Sequence, residues 1–81
     1  MPDKKLSIIA IVVSDRLNAS MHVNTLLSRY GDKIVARMGI PHNAKDVSLI
    51  SVIMETNEND LNSIKTQLKT IPNVQIKTLT V

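Results

Sequence analysis

The chain has 81 residues, enough for one hydrophobic core, so the sequence predicts a single domain over residues 1–81. It contains no cysteine, which excludes disulfides, thiolate nucleophiles and zinc sites built from cysteine. The net charge is +3, and the ten Lys and Arg residues are scattered along the chain, which argues against a nucleic-acid-binding arm or a polybasic membrane patch.

The first half of the chain has the pattern of a strand, a helix and a second strand. Residues 6–13 are apolar without a break, which predicts a strand buried on both faces rather than a signal peptide. A helix is predicted over about 18–30, capped by Asn18 and ended by Gly31 in the left-handed region. Residues 33–38 predict the second strand. The helix's apolar stripe is Val23, Leu26, Leu27 and Tyr30, and one side of the strand carries Ile34, Ala36 and Met38.

A connector between two halves of the chain is predicted over residues 36–46. It contains Gly39, which tolerates φ > 0, and Pro41, which cannot donate a hydrogen bond to a sheet. It also carries His42, one of the chain's two histidines. If the domain has a binding site of its own, we expect this connector to take part in it.

The second half repeats the strand, helix, strand pattern. Residues 47–55 predict a strand that is again apolar on both faces, and the polar turn 56–60 is rich in residues that cap helices. A helix follows and is stopped by Pro72 and Asn73. Residues 74–81 predict a mixed strand at an edge of the sheet. The apolar stripe of this second helix is Leu61, Ile64, Leu68 and Ile71.

The two halves, about 6–40 and 47–81, align without a gap at an offset of 41 residues. Ser7 then matches Ser48, and Leu27 matches Leu68. Each half is a βαβ unit, so the whole chain predicts an α+β, ferredoxin-like βαββαβ fold. In this fold a four-stranded antiparallel sheet has its first and third strands at the centre and both helices on one face.

Both predicted central strands are apolar on both faces, although the helices can cover only one. An antiparallel sheet with a solvated face normally alternates apolar and polar residues. The uncovered face would be a larger apolar patch than monomers tolerate. Ala10 and Ser51 would lie together on it and allow close approach of a partner. We therefore expect a homodimer or homotetramer.

Residues that could carry chemistry are few. His22 and His42 lie apart in the sequence, without the paired spacing of a metal site, although a site formed across an oligomer interface stays open. Nothing resembles a catalytic triad, and the single aromatic residue, Tyr30, leaves no stacking platform for RNA. We expect no enzyme activity, no cofactor and no direct nucleic-acid binding.

A small-molecule ligand remains the favoured partner. The loop after the first strand leads into a helix N-terminus, which offers free N–H groups. Asp15, Arg16 and Asn18 could orient a small polar molecule there, and Arg37 would approach from the second strand. With His42 in the connector, these five residues are the candidate ligand-binding set. No segment is long enough to cross a membrane, and we expect a cytoplasmic protein.

The sequence also resembles a known family, the small regulators of the iron-only hydrogenase system. The resemblance is most specific over residues 30–41, which read YGDKIVARMGIP, and over 47–51, which read VSLIS. It implies an ACT-like domain, similar to the ligand-binding domain of the nickel-responsive repressor, and a role in transcriptional regulation. Together these observations predict a small oligomeric regulatory domain that senses a small ligand at a subunit interface. The alternative is a structural or protein-interaction module without a ligand.

Overall fold

The computed structural model describes residues 4–14, 16–42 and 45–81, with the backbone alone for 16 and 17. The described residues form four strands and two α-helices, and a 3-10 turn, Gly31–Lys33, joins the first helix to the second strand. The strands are β1 (Lys5–Ser14), β2 (Ile34–His42), β3 (Val47–Thr56) and β4 (Val74–Thr80), and the helices are α1 (Arg16–Arg29) and α2 (Glu58–Lys69).

The four strands form one antiparallel sheet in the order β2-β3-β1-β4. The predicted ferredoxin-like βαββαβ fold is therefore confirmed, with β1 and β3 at the centre and β2 and β4 at the edges. Ala10 lies opposite Ser51 in the register of the two central strands, as the repeat predicts. No helix within the described ranges is both long and apolar enough to span a membrane.

Both helices pack on one face of the sheet, called here the covered face. Alternate residues of the central strands point into it and are almost completely buried, as the β-strand period of two requires. The helices meet them with the predicted stripes. The core consists of Ile9, Ile11, Val13, Ile50, Val52 and Met54 from the sheet and Ala19, Val23, Leu26, Leu27, Leu61, Ile64 and Leu68 from the helices.

The opposite side of the sheet, called here the open face, carries the other alternate residues. The prediction that the central strands are apolar on both sides is confirmed, because large aliphatic side chains stand on this face in exposed positions. Leu49 is 47% exposed and Ile8 is 37% exposed. The apolar residues of the open face are Leu6, Ile8, Ala10 and Val12 of β1, Val47, Leu49 and Ile53 of β3, Ala36, Met38 and Ile40 of β2, and Leu79 of β4.

The ends of the first helix differ from the prediction. Helix α1 begins at Arg16, so Asn18 lies inside its first turn and is not the residue before it. Gly31 does not adopt a left-handed conformation, since neither glycine has a positive φ. The helix instead tightens into the 3-10 turn, where the amide of Lys33 donates to the carbonyl of Tyr30 at 2.9 Å. Such a turn satisfies end carbonyls without a left-handed residue.

The predicted connector is much shorter than residues 36–46. Strand β2 continues to His42 and pairs with β3 without a break from Ala36 onward, so residues 36–42 belong to the sheet. Pro41 fits within β2 because an edge strand does not need every N–H group for pairing. Residues 43 and 44 lie outside the described residues, and Asp46, with φ of 52°, leads into β3.

The start of β2 corrects a second prediction. A register shift lies between Ile34 and Ala36, so that Ile34 pairs with Met54 but Ala36 pairs with Ile53. Such an irregularity inserts one residue and moves the following side chains to the other face. Ile34 therefore packs against the core, whereas Ala36 and Met38 face the open side.

The start of α2 agrees with the sequence. The side chain of Asn57 accepts a hydrogen bond from the backbone N–H of Asp60 at 2.7 Å, which is the geometry of an N-cap. Glu58 and Asp60 place acidic groups in the first turn, where the helix dipole favours them. Helix α2 is therefore fixed at its first turn by residues next to one another in the chain.

Candidate functional site

A groove of about 630 Å³ lies between helix α1 and the edge strand β2. We call it the α1–β2 groove. One wall is formed by α1, the other by β2, and the base by β3. Its lining residues are Ser20 and Asn24 of α1, Arg37, Gly39, Ile40 and Pro41 of β2, Ser48 and Ile50 of β3, and Asp46.

The composition of β2 explains why this part of the covered face is not filled. The β2 residues that point toward the helices are Arg37, Gly39 and Pro41, which pair with covered-face residues of β3. None of them brings a large aliphatic side chain to the core. A Cβ atom built on Gly39 would meet Ile50 Cγ1 at 3.8 Å, an ordinary contact, so the space above this position is unoccupied by the chain.

The charged end of the groove is Arg37. Its Nη2 atom donates a hydrogen bond to Asn24 Oδ1 at 2.7 Å, which ties β2 to α1 across the groove. Both side chains are exposed. Ion pairs among the described residues involve Lys33 with Asp32 and Asp60, and none involves Arg37. The guanidinium is therefore held in place by a neutral partner and keeps donors directed to solvent.

The far end of the groove carries hydroxyl groups and a carboxylate instead of a cation. Ser48 pairs with Pro41 near the start of β3, and Ser20 lies one helical turn before Asn24. Asp46 adds an exposed carboxylate at the rim. One end of the groove thus presents a cation, and the other presents hydroxyl groups and an anion.

The predicted site residues do not all meet in this groove. Arg37 lines it, whereas Asn18 lies on a smaller pocket beside the 71–73 turn. His42 pairs with Val47 and faces the open side, so β2 carries Arg37 and His42 on opposite faces. Asp15 and the side chain of Arg16 lie outside the described residues.

Sequence reasoning missed Ser20, Asn24 and Ser48, whereas Gly39 and Asp46 belong to the segment 36–46 that it expected to take part in a site. Ser20 and Asn24 are four residues apart, which places them on one side of α1. That spacing was the one signal in the sequence that these two polar residues share a face of the helix. Nothing in the sequence indicated that β2 would bring Arg37 to the same side.

A second concave feature lies on the open face. It is an apolar depression of about 260 Å³ formed where the small side chains of Ala10 and Ser51 pair across the two central strands. We call it the central depression. Larger side chains surround it, among them Met38, Ile40 and Leu49. No cluster of three or more potential metal ligands occurs in the part of the chain that the structure describes.

Strand β2 belongs to both features. Arg37, Gly39 and Pro41 point into the α1–β2 groove, whereas Met38 and Ile40 alternate with them and stand on the open face. Ile40 is also among the residues that line the groove, although its side chain stands on the open face. Any displacement of β2 therefore changes both surfaces together.

The sequence model of a family described as "TM1266-like: Iron-only hydrogenase system regulator, putative" matches residues 5–78. Among solved structures, uncharacterized protein TM1266 from Thermotoga maritima is similar over 98% of this chain and 99% of that chain, with 29% identity and a TM-score of 0.94. No curated protein matches the sequence.

Two more distant structures share the fold. The C-terminal domain of the MgtC protein from Mycobacterium tuberculosis has 10% identity and a TM-score of 0.74, covering 96% of this chain and 88% of that chain. The apo form of CPII from Thiomonas intermedia K12, a nitrogen regulatory PII-like protein, has 16% identity and a TM-score of 0.57, covering 95% and 91%. At such identities the likeness shows the fold alone.

Proposed function

Because the chain belongs to the TM1266-like family of iron-only hydrogenase system regulators, we propose that it is an oligomeric, ACT-like regulatory domain that senses a small ligand. The domain acts as a homodimer or homotetramer, with the ligand bound beside the subunit interface. The proposal assigns it no catalytic step and no cofactor. In transcriptional control, contact with DNA would fall to a partner protein.

The observation that carries this proposal is the double role of β2. A regulatory domain must convert ligand binding into a change at a surface that another molecule recognises. Here the ligand groove is lined by Arg37 and Gly39, and the neighbouring residues Met38 and Ile40 stand on the open face. A ligand that moves or stiffens β2 changes the apolar surface on the other side of the same strand.

The open face supports association between copies of the chain. Burying a large aliphatic side chain contributes roughly 1.5–3 kcal/mol. The patch has several such residues, including Leu6 at 43% exposure and Leu49 at 47%. The central depression accepts side chains from a second copy, because large residues such as Met38 stand beside it on the same surface. A surface with both protrusions and a depression can match itself across a two-fold axis.

A charge placed on the open face tests the proposal. We expect wild-type protein to be a dimer or tetramer at micromolar concentration, measured by light scattering. Leu49→Lys should be monomeric and folded, because a lysine at the centre of the interface would lose its hydration without a partner. Met21→Lys is the matched control, since Met21 is 70% exposed on α1, away from the open face. A monomeric wild-type protein would overturn the proposal.

The alternative is an interaction module without a ligand, and the exposed apolar residues of the open face favour it as well. In that case a different protein covers the face. The two functions predict different behaviour of the purified chain. The interaction module stays monomeric or aggregates at high concentration, whereas the regulatory domain forms a defined oligomer.

A further inference from the structure

We propose that the α1–β2 groove binds a small monocarboxylate with a short apolar body, held at its anionic end by Arg37. This inference rests on the proposed ligand-sensing function and gives the ligand its chemical class. It is carried by three features that follow one another along the groove: a positioned guanidinium on β2, an apolar middle, and an acidic far end at Asp46, just before β3.

The anionic end of the ligand is assigned from Arg37 and Asn24. The hydrogen bond of 2.7 Å from Arg37 Nη2 to Asn24 Oδ1 holds the guanidinium at the groove wall. A guanidinium has further N–H donors in a fork that matches a carboxylate, and the amide nitrogen of Asn24 is another donor. Because the cation is already positioned, little side-chain freedom is lost when the anion binds.

The apolar body of the ligand is assigned from the middle of the groove. Gly39 has no side chain, and Ile50 lies beneath it at 3.8 Å from the position of a Cβ atom. Pro41, which faces the same side of β2 as Gly39, continues this apolar surface toward the far end. Short hydrocarbon groups lose water contact there at a gain of roughly 25 cal/mol per Å².

The far end limits the ligand to one negative charge. A second anionic group on a short ligand would lie in the apolar middle of the groove, where it loses hydration without a cationic partner, and one on a longer ligand would approach the carboxylate of Asp46 at the rim. Arg37 and Pro41 are four residues apart on β2, which sets the distance between the two ends at about 14 Å along the strand. A dicarboxylate or a dianionic phosphate ester would leave charge unbalanced, because Arg37 is the cationic residue among those lining the groove.

Titration of the intact protein with hexanoate tests the assignment. The NMR signals of the Gly39 backbone amide and the Arg37 Nε–H report binding. Hexanoate should shift both signals in a saturable manner. Adipate should bind at least several-fold more weakly, and hexylammonium should not shift them. Equal binding of hexylammonium, stronger binding of adipate, or no shift with hexanoate would overturn the inference.

Two substitutions locate the binding. Arg37→Gln keeps a hydrogen-bonding side chain but removes the charge, and we expect hexanoate affinity to fall at least tenfold. Gly39→Ala fills the floor of the groove and should weaken binding several-fold, whereas Gly31→Ala, where an added Cβ meets nothing within 4 Å, should leave it unchanged. Unchanged affinity in Arg37→Gln, with a folded amide spectrum, would contradict the assignment.

Light scattering on the same samples separates this inference from the proposed function. A wild-type oligomer that does not bind hexanoate overturns the carboxylate assignment and leaves self-association standing. A monomer that binds hexanoate supports the assignment and overturns the oligomeric regulator.

Discussion

The two faces of the sheet differ in what covers them more than in what they are made of. Ile8 and Ile9 are neighbours in β1, yet Ile9 is 0% exposed beneath the helices and Ile8 is 37% exposed on the open face. In the register of the sheet, Ile8 lies opposite Ile53 and Ile9 opposite Val52, so both faces are lined by aliphatic pairs. The comparison shows that both faces carry similar aliphatic side chains and that the helices bury those of one face alone. Under the proposed function, a second copy of the chain buries the other face.

Helices can cover the first face because each carries a matching stripe. Val23 and Leu27 on α1, with Ile64 and Leu68 on α2, are completely buried against the sheet. Because these side chains belong to the same chain as the sheet, the core beneath the helices should stay buried at any protein concentration. The open face should be buried only when a second molecule binds it. Under the proposed function, the free energy of unfolding should therefore rise with protein concentration.

The largest effect is expected from Ile9→Ala, on the covered face. We expect this change to reduce the free energy of unfolding by about 2–5 kcal/mol, because it removes buried methyl groups and leaves a cavity. Urea denaturation followed by circular dichroism measures the loss. A loss below about 1 kcal/mol would mean that the covered face is less tightly packed than its burial indicates.

The matched change on the other face is Ile8→Ala. We expect the dissociation constant of the oligomer to rise about 10- to 100-fold, since each copy loses part of one interfacial side chain. Sedimentation at several concentrations measures it. Stability at high concentration should stay close to that of the wild type. An unchanged association constant would mean that Ile8 lies outside the interface.

A smaller loss of stability is expected at the N-cap of α2, one of the two helices that pack on the covered face. Asn57→Ala should cost about 1 kcal/mol, because the N–H of Asp60 loses its acceptor. Asn59→Ala, an exposed position in the same first turn, is the control and should change the melting temperature little. Equal effects of the two changes would argue against the cap.

The smallest effect is expected at β4, where two threonines on the covered face differ. Within the described residues the buried hydroxyl of Thr78 has no hydrogen-bond partner, whereas that of Thr80 lies 3.0 Å from the hydroxyl of Ser7. Thr78→Val should therefore be neutral or stabilise the protein by up to about 1 kcal/mol. Thr80→Val should destabilise it by a similar amount. Thermal denaturation of both variants, and the sign of their difference, tests this assignment.

The fold was largely predictable because its signals are local. The unbroken apolar runs, the two helical stripes and the repeat at an offset of 41 residues together indicate βαββαβ. The prediction was wrong at β2, where Gly39 and Pro41 indicated a connector. Neither residue interrupts the strand, because an edge position tolerates a missing N–H and an extended backbone suits glycine.

The candidate site was predicted only in part. Arg37 and His42 lie close together in the sequence and were placed in one ligand set, but five positions along a strand put them on opposite faces. Ser20 and Asn24 come from α1, and only the packing of that helix beside β2 brings Asn24 within 2.7 Å of Arg37. Such a contact between distant segments has no local signal.

By itself the sequence determined the elements, their order and the apolar character of both faces of the central strands, because strand and helix periodicity are properties of neighbouring residues. The tertiary structure decided which alternate residues of β2 turn toward the groove, since the register shift between Ile34 and Ala36 sets the orientation of every later side chain. It also decided that Arg37 meets Asn24, since a contact across 13 positions depends on how the helix packs on the sheet.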